Sequence, residues 1–143
     1  MFCLILGIMT SYNVSMNPNN PCIFCDKENQ KFKLIAENDF AVARWDEFPV
    51  SKGHALIIPK KHLLSFFDLK NEEMVKLFSL MRETKEIIQK EYNPDGFNIG
   101  VNDGEAAGRT VHHLHIHLIP RYKGDIKTVR GGVRHIIPGK GSY

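Results

Sequence analysis

The sequence predicts an α+β domain: a twisted antiparallel sheet of about five strands, one long helix and one short helix. Three observations carry the prediction. Residues 113–118, His-Leu-His-Ile-His-Leu, alternate polar and apolar side chains, which is the period of a half-buried strand. A single long stretch, Asn71–Tyr92, keeps helical spacing instead, with Met74, Leu77, Phe78, Met81 and Ile88 on one stripe. The remaining apolar runs are short and separated by turn-forming residues, as strands of an antiparallel sheet are.

Taken in order, residues 1–20 read as an unstructured leader. Their apolar opening, Met1–Met9, is far shorter than the ~20 residues that cross a bilayer. It also lacks the basic lead-in and small-residue cleavage site of a secretory signal. Met9 and Met16 both precede the first domain-like residues, so a downstream start is expected; N-terminal sequencing of natively expressed protein checks it. The domain spans 21–125 and opens with Pro21-Cys22-Ile23-Phe24-Cys25. Asp26–Lys31 is a polar turn, and Phe32–Ala36 and Phe40–Trp45 are short extended segments. Asp46–Gly53 is a connecting loop with Pro49 and Gly53 as breakers, and His54–Pro59 is the next strand. The helix Asn71–Tyr92 has Asn71 as its expected cap, Glu72 and Glu73 at its positive end, and Asn93-Pro94-Asp95-Gly96 as its stop. Phe97–Asn102 is a strand, and the small-residue loop Asp103–Gly108 joins it to the histidine strand as a hairpin. The tail, 126–143, is basic and irregular.

Composition narrows the function. At 143 residues the chain is long enough for one domain with a real core. Hydrophobic residues at 43% and charged residues at 24% are ordinary for a globular protein. A net charge of +3 and a pI near 8.8 accommodate an anionic ligand. No basic run of the kind found in nucleic-acid arms occurs, so neither nucleic acid nor membrane is an expected partner. Three cysteines are too few for a disulfide framework, and cytoplasm is the expected location.

The chemistry concentrates at 108–121, GRTVHHLHIHLIPR. Alternate strand residues share a face, so His113, His115 and His117 form a row with a spacing of about 6.6 Å, while Leu114, Ile116 and Leu118 turn towards a core. A row of imidazoles suits phosphate chemistry. One ring attacks phosphorus through an unprotonated nitrogen, its other nitrogen being held as a donor, and its neighbours donate to the phosphate oxygens. The small residues and backbone N–H groups of 103–108 suit an anion. No Walker loop, dinucleotide glycine fingerprint or serine nucleophile elbow competes with this reading. The Cys22-x-x-Cys25 spacing grips a tetrahedral zinc if two further ligands arrive from elsewhere; alone it is equally a pair of small, partly buried thiols.

The run His113-Leu114-His115-Ile116-His117-Leu118-Ile119, with Gly108-Arg109-Thr110-Val111 before it and Pro120-Arg121 after it, resembles the signature of the histidine triad (HIT) superfamily. The resemblance implies a HIT-like fold, a homodimer, and hydrolysis of a purine nucleotide at its α-phosphate through a covalent nucleotidyl-histidine. It implies His115 as nucleophile, His117 as the phosphate-contacting third member, and His54 as the outlying histidine near the site. It implies Asp46 at the ribose hydroxyls and Asn102, Gly108 and Thr110 in the phosphate loop, with Arg109 where the family commonly has Gln. That guanidinium would favour a longer polyphosphate or reach a partner subunit. Resemblance to zinc-containing members implies a structural Zn2+ on Cys22, Cys25, His62 and His113. His117, where the transferase branch has Gln, and the stretch Ile119–Asp125 resemble the hydrolases of dinucleoside polyphosphates such as diadenosine tetraphosphate. The alternatives are an adenosine phosphoramidate hydrolase, transfer of the nucleotide to phosphate, and a nucleotide-binding signalling module with little turnover.

Overall fold

The computed structural model describes residues 22–141 and 143. The leader reading, the alternative starts and Cys3 lie outside the described residues. The chain runs α1 (Lys27–Lys31), β1 (Leu34–Glu37), β2 (Ala41–Trp45), β3 (Ala55–Pro59), α2 (Asn71–Tyr92), β4 (Gly96–Gly100) and β5 (Ile116–Arg121). The strands form one antiparallel sheet in the order β1-β2-β3-β5-β4. The expected α+β architecture is what forms. The polar turn after Cys25 closes into the short helix α1, with the Asp26 carboxylate accepting the Glu28 N–H at 2.9 Å.

The pleat sorts side chains to two faces. Ala41, Ala43, Ala55, Ile57, Ile116 and Leu118 bury against Leu77, Leu80, Met81 and Ile88 of α2. Each fully buried leucine or isoleucine here contributes roughly 1.5–3 kcal/mol. The opposite face carries a smaller cluster of Phe24, Val42, Leu56 and Ile58. Alternation in β5 leaves Ile116, Leu118 and Pro120 buried, and His117, Ile119 and Arg121 half-buried on the side away from the helix.

Several expectations need correction. The helix cap is Lys70, whose N–H donates to the Glu73 carboxylate at 3.0 Å, so Asn71 is the first helical residue. Phe78 is 57% exposed instead of in the core, because it lies one position round the helix from buried Leu77. The β4–β5 pair is antiparallel, yet it is joined by the long connection 101–115 and not by a tight hairpin loop. The histidine strand starts at Ile116, so His113 and His115 precede the ladder. Its last pair with β3 is Ile57 with Ile116, beyond which the chain turns aside and the Leu114 N–H bonds the Leu63 carbonyl at 2.6 Å. The His113 ring takes over the carbonyl of Pro59, bonding it at 2.8 Å. In the loop before β3, Gly53 has φ +83°, and a Cβ there would lie 2.8 Å from the Tyr92 ring, so both backbone and packing require glycine.

Candidate active site and metal cluster

The histidines fall into two groups at neighbouring points of one segment. At its start, His113 is fully buried and points its Nδ1 at Cys22 Sγ, 3.3 Å away, and Cys25 Sγ, 3.5 Å away. His62, on the turn leaving β3, places its Nδ1 3.2 Å from Cys25 Sγ. The ligand atoms of Cys22, Cys25, His62 and His113 all lie within 4.8 Å of one another. A zinc with ordinary Zn–S and Zn–N bonds sets its sulfur and nitrogen ligands about 3.5 Å apart along a tetrahedral edge, so the donor set fits a closed metal site. The Nε2–H of His113 donates to Pro59, which leaves Nδ1 as the lone-pair nitrogen and fixes the ring as a metal-bound histidine's is fixed. Burial and the adjacent Cys22 push the Cys25 thiol up to about 11, since two thiolates side by side need a cation.

Two residues on, His115 turns to a different neighbourhood. Its Nδ1–H donates to the His113 carbonyl at 2.8 Å, so Nε2 carries the free electron pair. Phe24 stands between the two groups, with ring centroids 5.8 Å from His113 and 5.4 Å from His115. On β5, His117 lies 5.1 Å from the His115 ring. The backbone N–H of Val50 donates to His54 Nδ1 at 3.3 Å. The proton of neutral His54 therefore sits on Nε2 and is given to His117 Nδ1 at 3.0 Å. His117 in turn carries its own proton on Nε2. Burial, then the neighbouring His115 and His54, hold the His117 pKa down at about 4. Burial lowers His54 as well, against the opposing pull of Asp46, whose Oδ2 is 3.5 Å from Nδ1. Both rings are thus neutral at pH 7. The result is an electron pair on His115 beside a donor on His117.

These groups open on a cleft of about 370 Å³, lined by Asp46, His54, Thr110, His115 and His117 together with Phe24, Phe48, Val50 and Leu56. Its size and its mix of apolar wall with few polar groups suit a small ligand. Of the residues singled out from the sequence, Asp46, His54, Thr110, His115 and His117 meet here, and Cys22, Cys25, His62 and His113 meet in the metal cluster. Asn102 and Gly108 lie beside each other outside the cleft walls, the Asn102 amide being 3.9 Å from where a Cβ of residue 108 would stand. Arg109 also turns away, donating from Nη1 to the Leu64 carbonyl at 3.0 Å. Sequence reasoning missed Phe24, Arg44 and Glu47 as cleft residues. The alternation of β2 put Arg44 on the face of Val42, but no motif marked that face as the one bearing the site.

A five-stranded antiparallel sheet that presents alternate histidines to an apolar cleft defines the class, a histidine triad protein. The HIT domain family model matches residues 27–124, and the chain belongs to the HIT family. It is 38% identical over 113 residues to an uncharacterized HIT-like protein of Methanocaldococcus jannaschii, covering 78% of this chain and 87% of that one. A zinc-bound histidine triad family protein from Mycobacterium smegmatis superposes with a TM-score of 0.66 at 30% identity, covering 75% of this chain and 79% of that one. The asymmetrical bis(5'-nucleosyl)-tetraphosphatase of Schizosaccharomyces pombe is 40% identical over 77 residues, which cover 54% of this chain and 42% of that one. The HIT family thus includes hydrolases of nucleotides. Among the described residues no helix is long and apolar enough to cross a membrane.

Proposed function

We propose that the protein hydrolyses a purine dinucleoside polyphosphate at its α-phosphate through a nucleotidyl-His115 intermediate. The observation that carries this is the bond from His115 Nδ1–H to the His113 carbonyl, which leaves Nε2 as a nucleophile facing the cleft. His115 Nε2 bonds to the α-phosphorus while the bond from phosphorus to the bridging oxygen breaks, and the remaining polyphosphate leaves as an anion. The positive charge that then forms on the ring is stabilised at Nδ1–H by the same carbonyl. Water attacks the phosphorus next, the P–N bond breaks, the electron pair returns to Nε2, and a proton passes to solvent. The Nε2–H of His117 donates to the phosphate oxygens as charge builds on them, in a position set by His54 and the Val50 N–H.

Asp46 takes the ribose hydroxyls and Thr110 donates to the phosphate, both from the cleft wall. Asn102 and Gly108 support the phosphate loop from behind, and Arg109 braces that loop against Leu64. Cys22, Cys25, His62 and His113 would hold a structural zinc, which tethers the N-terminal turn to the active segment. The chain acts as a homodimer. β4 ends the sheet, and its Ile99, 50% exposed, lines an apolar groove with Phe78 of α2, a surface suited to a second copy. The fission yeast relative named above acts on a dinucleoside tetraphosphate, which supports the substrate class.

Turnover of diadenosine tetraphosphate in 18O-labelled water tests the reading. The expected products are AMP carrying one 18O and ATP carrying none. Label in ATP, or wild-type turnover preserved in His115→Ala, contradicts it. If wild type and His115→Ala bind AMP alike and neither turns over any donor, the signalling reading replaces it. The same assay with added phosphate separates hydrolysis from transfer, since transfer yields unlabelled ADP.

A further inference from the structure

Two polar side chains of the cleft have no part in this chemistry. Arg44 and Glu47 line it beside Ile23, Phe24, Phe48 and Leu56. Val42 packs in the cluster of Phe24, Leu56 and Ile58, so Arg44, two residues on, projects from the same face of the sheet. Arg44 pairs across the ladder with Leu56, and Leu56 with His117. Two strand spacings, about 10 Å, thus separate Arg44 from His117 along one row. A nucleoside 5'-phosphate spans such a row, with phosphorus at the histidines, ribose over Leu56 within reach of Asp46, and the far edge of the base at Arg44.

The pair is held ready. The Arg44 guanidinium lies 5.9 Å from the Phe24 ring centroid and 5.5 Å from that of Phe32, and its Nη2 donates to Glu47 Oε1 at 2.7 Å. Arg44 is 3% exposed, whereas the Glu47 side chain is 44% exposed. The two rings and the carboxylate fix the guanidinium on the wall of an apolar cleft. Fixed polar groups on an apolar wall are how ligand pockets impose orientation and choice.

We infer that Arg44 and Glu47 form a base-reading subsite that selects guanine over adenine. The orientation of the nucleotide rests on the function proposed above. Guanine offers O6 and N7 as acceptors to a guanidinium fork, the commonest specific contact of arginine with a base. It also offers N1–H and an exocyclic N2 amino group as donors to a carboxylate, which only accepts. Adenine turns an amino group towards the arginine donors where guanine has O6, and a bare N1 towards the carboxylate. A matched bidentate contact discriminates by about 10- to 100-fold.

Calorimetric titration of wild type and Glu47→Gln with GMP, IMP and AMP tests this without needing turnover. The expected wild-type order is GMP, IMP, AMP, with GMP bound about 10- to 100-fold more tightly than AMP. IMP falls between because it keeps O6 and N1–H but lacks the 2-amino group. In Glu47→Gln the GMP-to-AMP ratio falls by about three- to tenfold, as an amide can no longer accept at both oxygens, while the Arg44 contact keeps GMP the tighter ligand. Residue 47 is exposed enough for this variant to fold, and a thermal melt verifies it. Equal affinities in wild type, tighter AMP, or a preference unchanged in Glu47→Gln each overturn the subsite. If GMP is preferred but diguanosine tetraphosphate is not hydrolysed, the hydrolase reading fails and the subsite stands. Hydrolysis without base preference gives the reverse.

Discussion

His113 and His115 stand two residues apart and do opposite work. At the first, Nε2–H is given to Pro59 and Nδ1 faces two sulfurs. At the second, Nδ1–H is given to a backbone carbonyl and Nε2 faces the cleft. Under the proposed function the same side chain becomes a ligand or a nucleophile according to which nitrogen the main chain occupies. Phe24, set edge-on to both rings, is the partition. At the cysteine–histidine end His113 is fully buried and His62 exposed, and under the proposed function this end contributes stability. The cleft end, with His115 and His117 half-buried, carries the chemistry under that same proposal.

If the two ends are separable, variants should affect one property and spare the other. The largest effect is expected from His115→Ala, which should lower kcat by at least about 10⁴-fold, as loss of a nucleophile does. Metal content, read by elemental analysis, should stay at the wild-type value. Next is Cys25→Ser, which should lose the metal and lower stability by about 3 kcal/mol, or about 10 °C in Tm by calorimetry. If Cys25→Ser kept its Tm, the metal end would not be the anchor described here. His54→Ala, which removes the donor to His117 Nδ1, should cost about 10- to 100-fold in kcat, with a smaller change in KM. Equal loss in both parameters would make His54 a binding group instead of a positioning one.

Acid gives the smallest and most graded effect. His117 is held at about 4 and His54 is lowered, so in the folded protein both resist protonation that the unfolded chain accepts near 6.5. For groups depressed in this way, the stability is present above 6.5 and is lost as pH falls towards 4. Tm should therefore fall between pH 6.5 and 4, and less steeply in His117→Asn. An equally steep fall in that variant would assign the effect to other groups.

Most of the architecture was legible because the period of the pattern changes where the structure does. The helix Asn71–Tyr92 and the alternation at 116–118 needed only spacing. Less legible was where the ladder stops. Alternation continues through His113 and Leu114 and β3 runs on to Pro59, but their ladder ends at Ile57 with Ile116, and a side-chain bond to Pro59 replaces a backbone one. Phe78 carried the helical period and still faces outward, since hydropathy does not distinguish a core position from an exposed apolar one. Of the site, the histidines and cysteines were visible through their spacing. Arg44 and Glu47 were not, because their place in the cleft depends on the sheet row shared with Leu56 and His117, a relation between distant stretches of chain.

The division of labour between the two histidines is tested most directly by trapping the intermediate. Wild type and His115→Ala are mixed with diadenosine tetraphosphate, quenched in base within one turnover, weighed intact and then digested. The structure predicts an AMP-sized adduct on wild type, mapped to the peptide containing His115 and absent from the variant. An adduct on His113 or His117, or one that survives in His115→Ala, would contradict it.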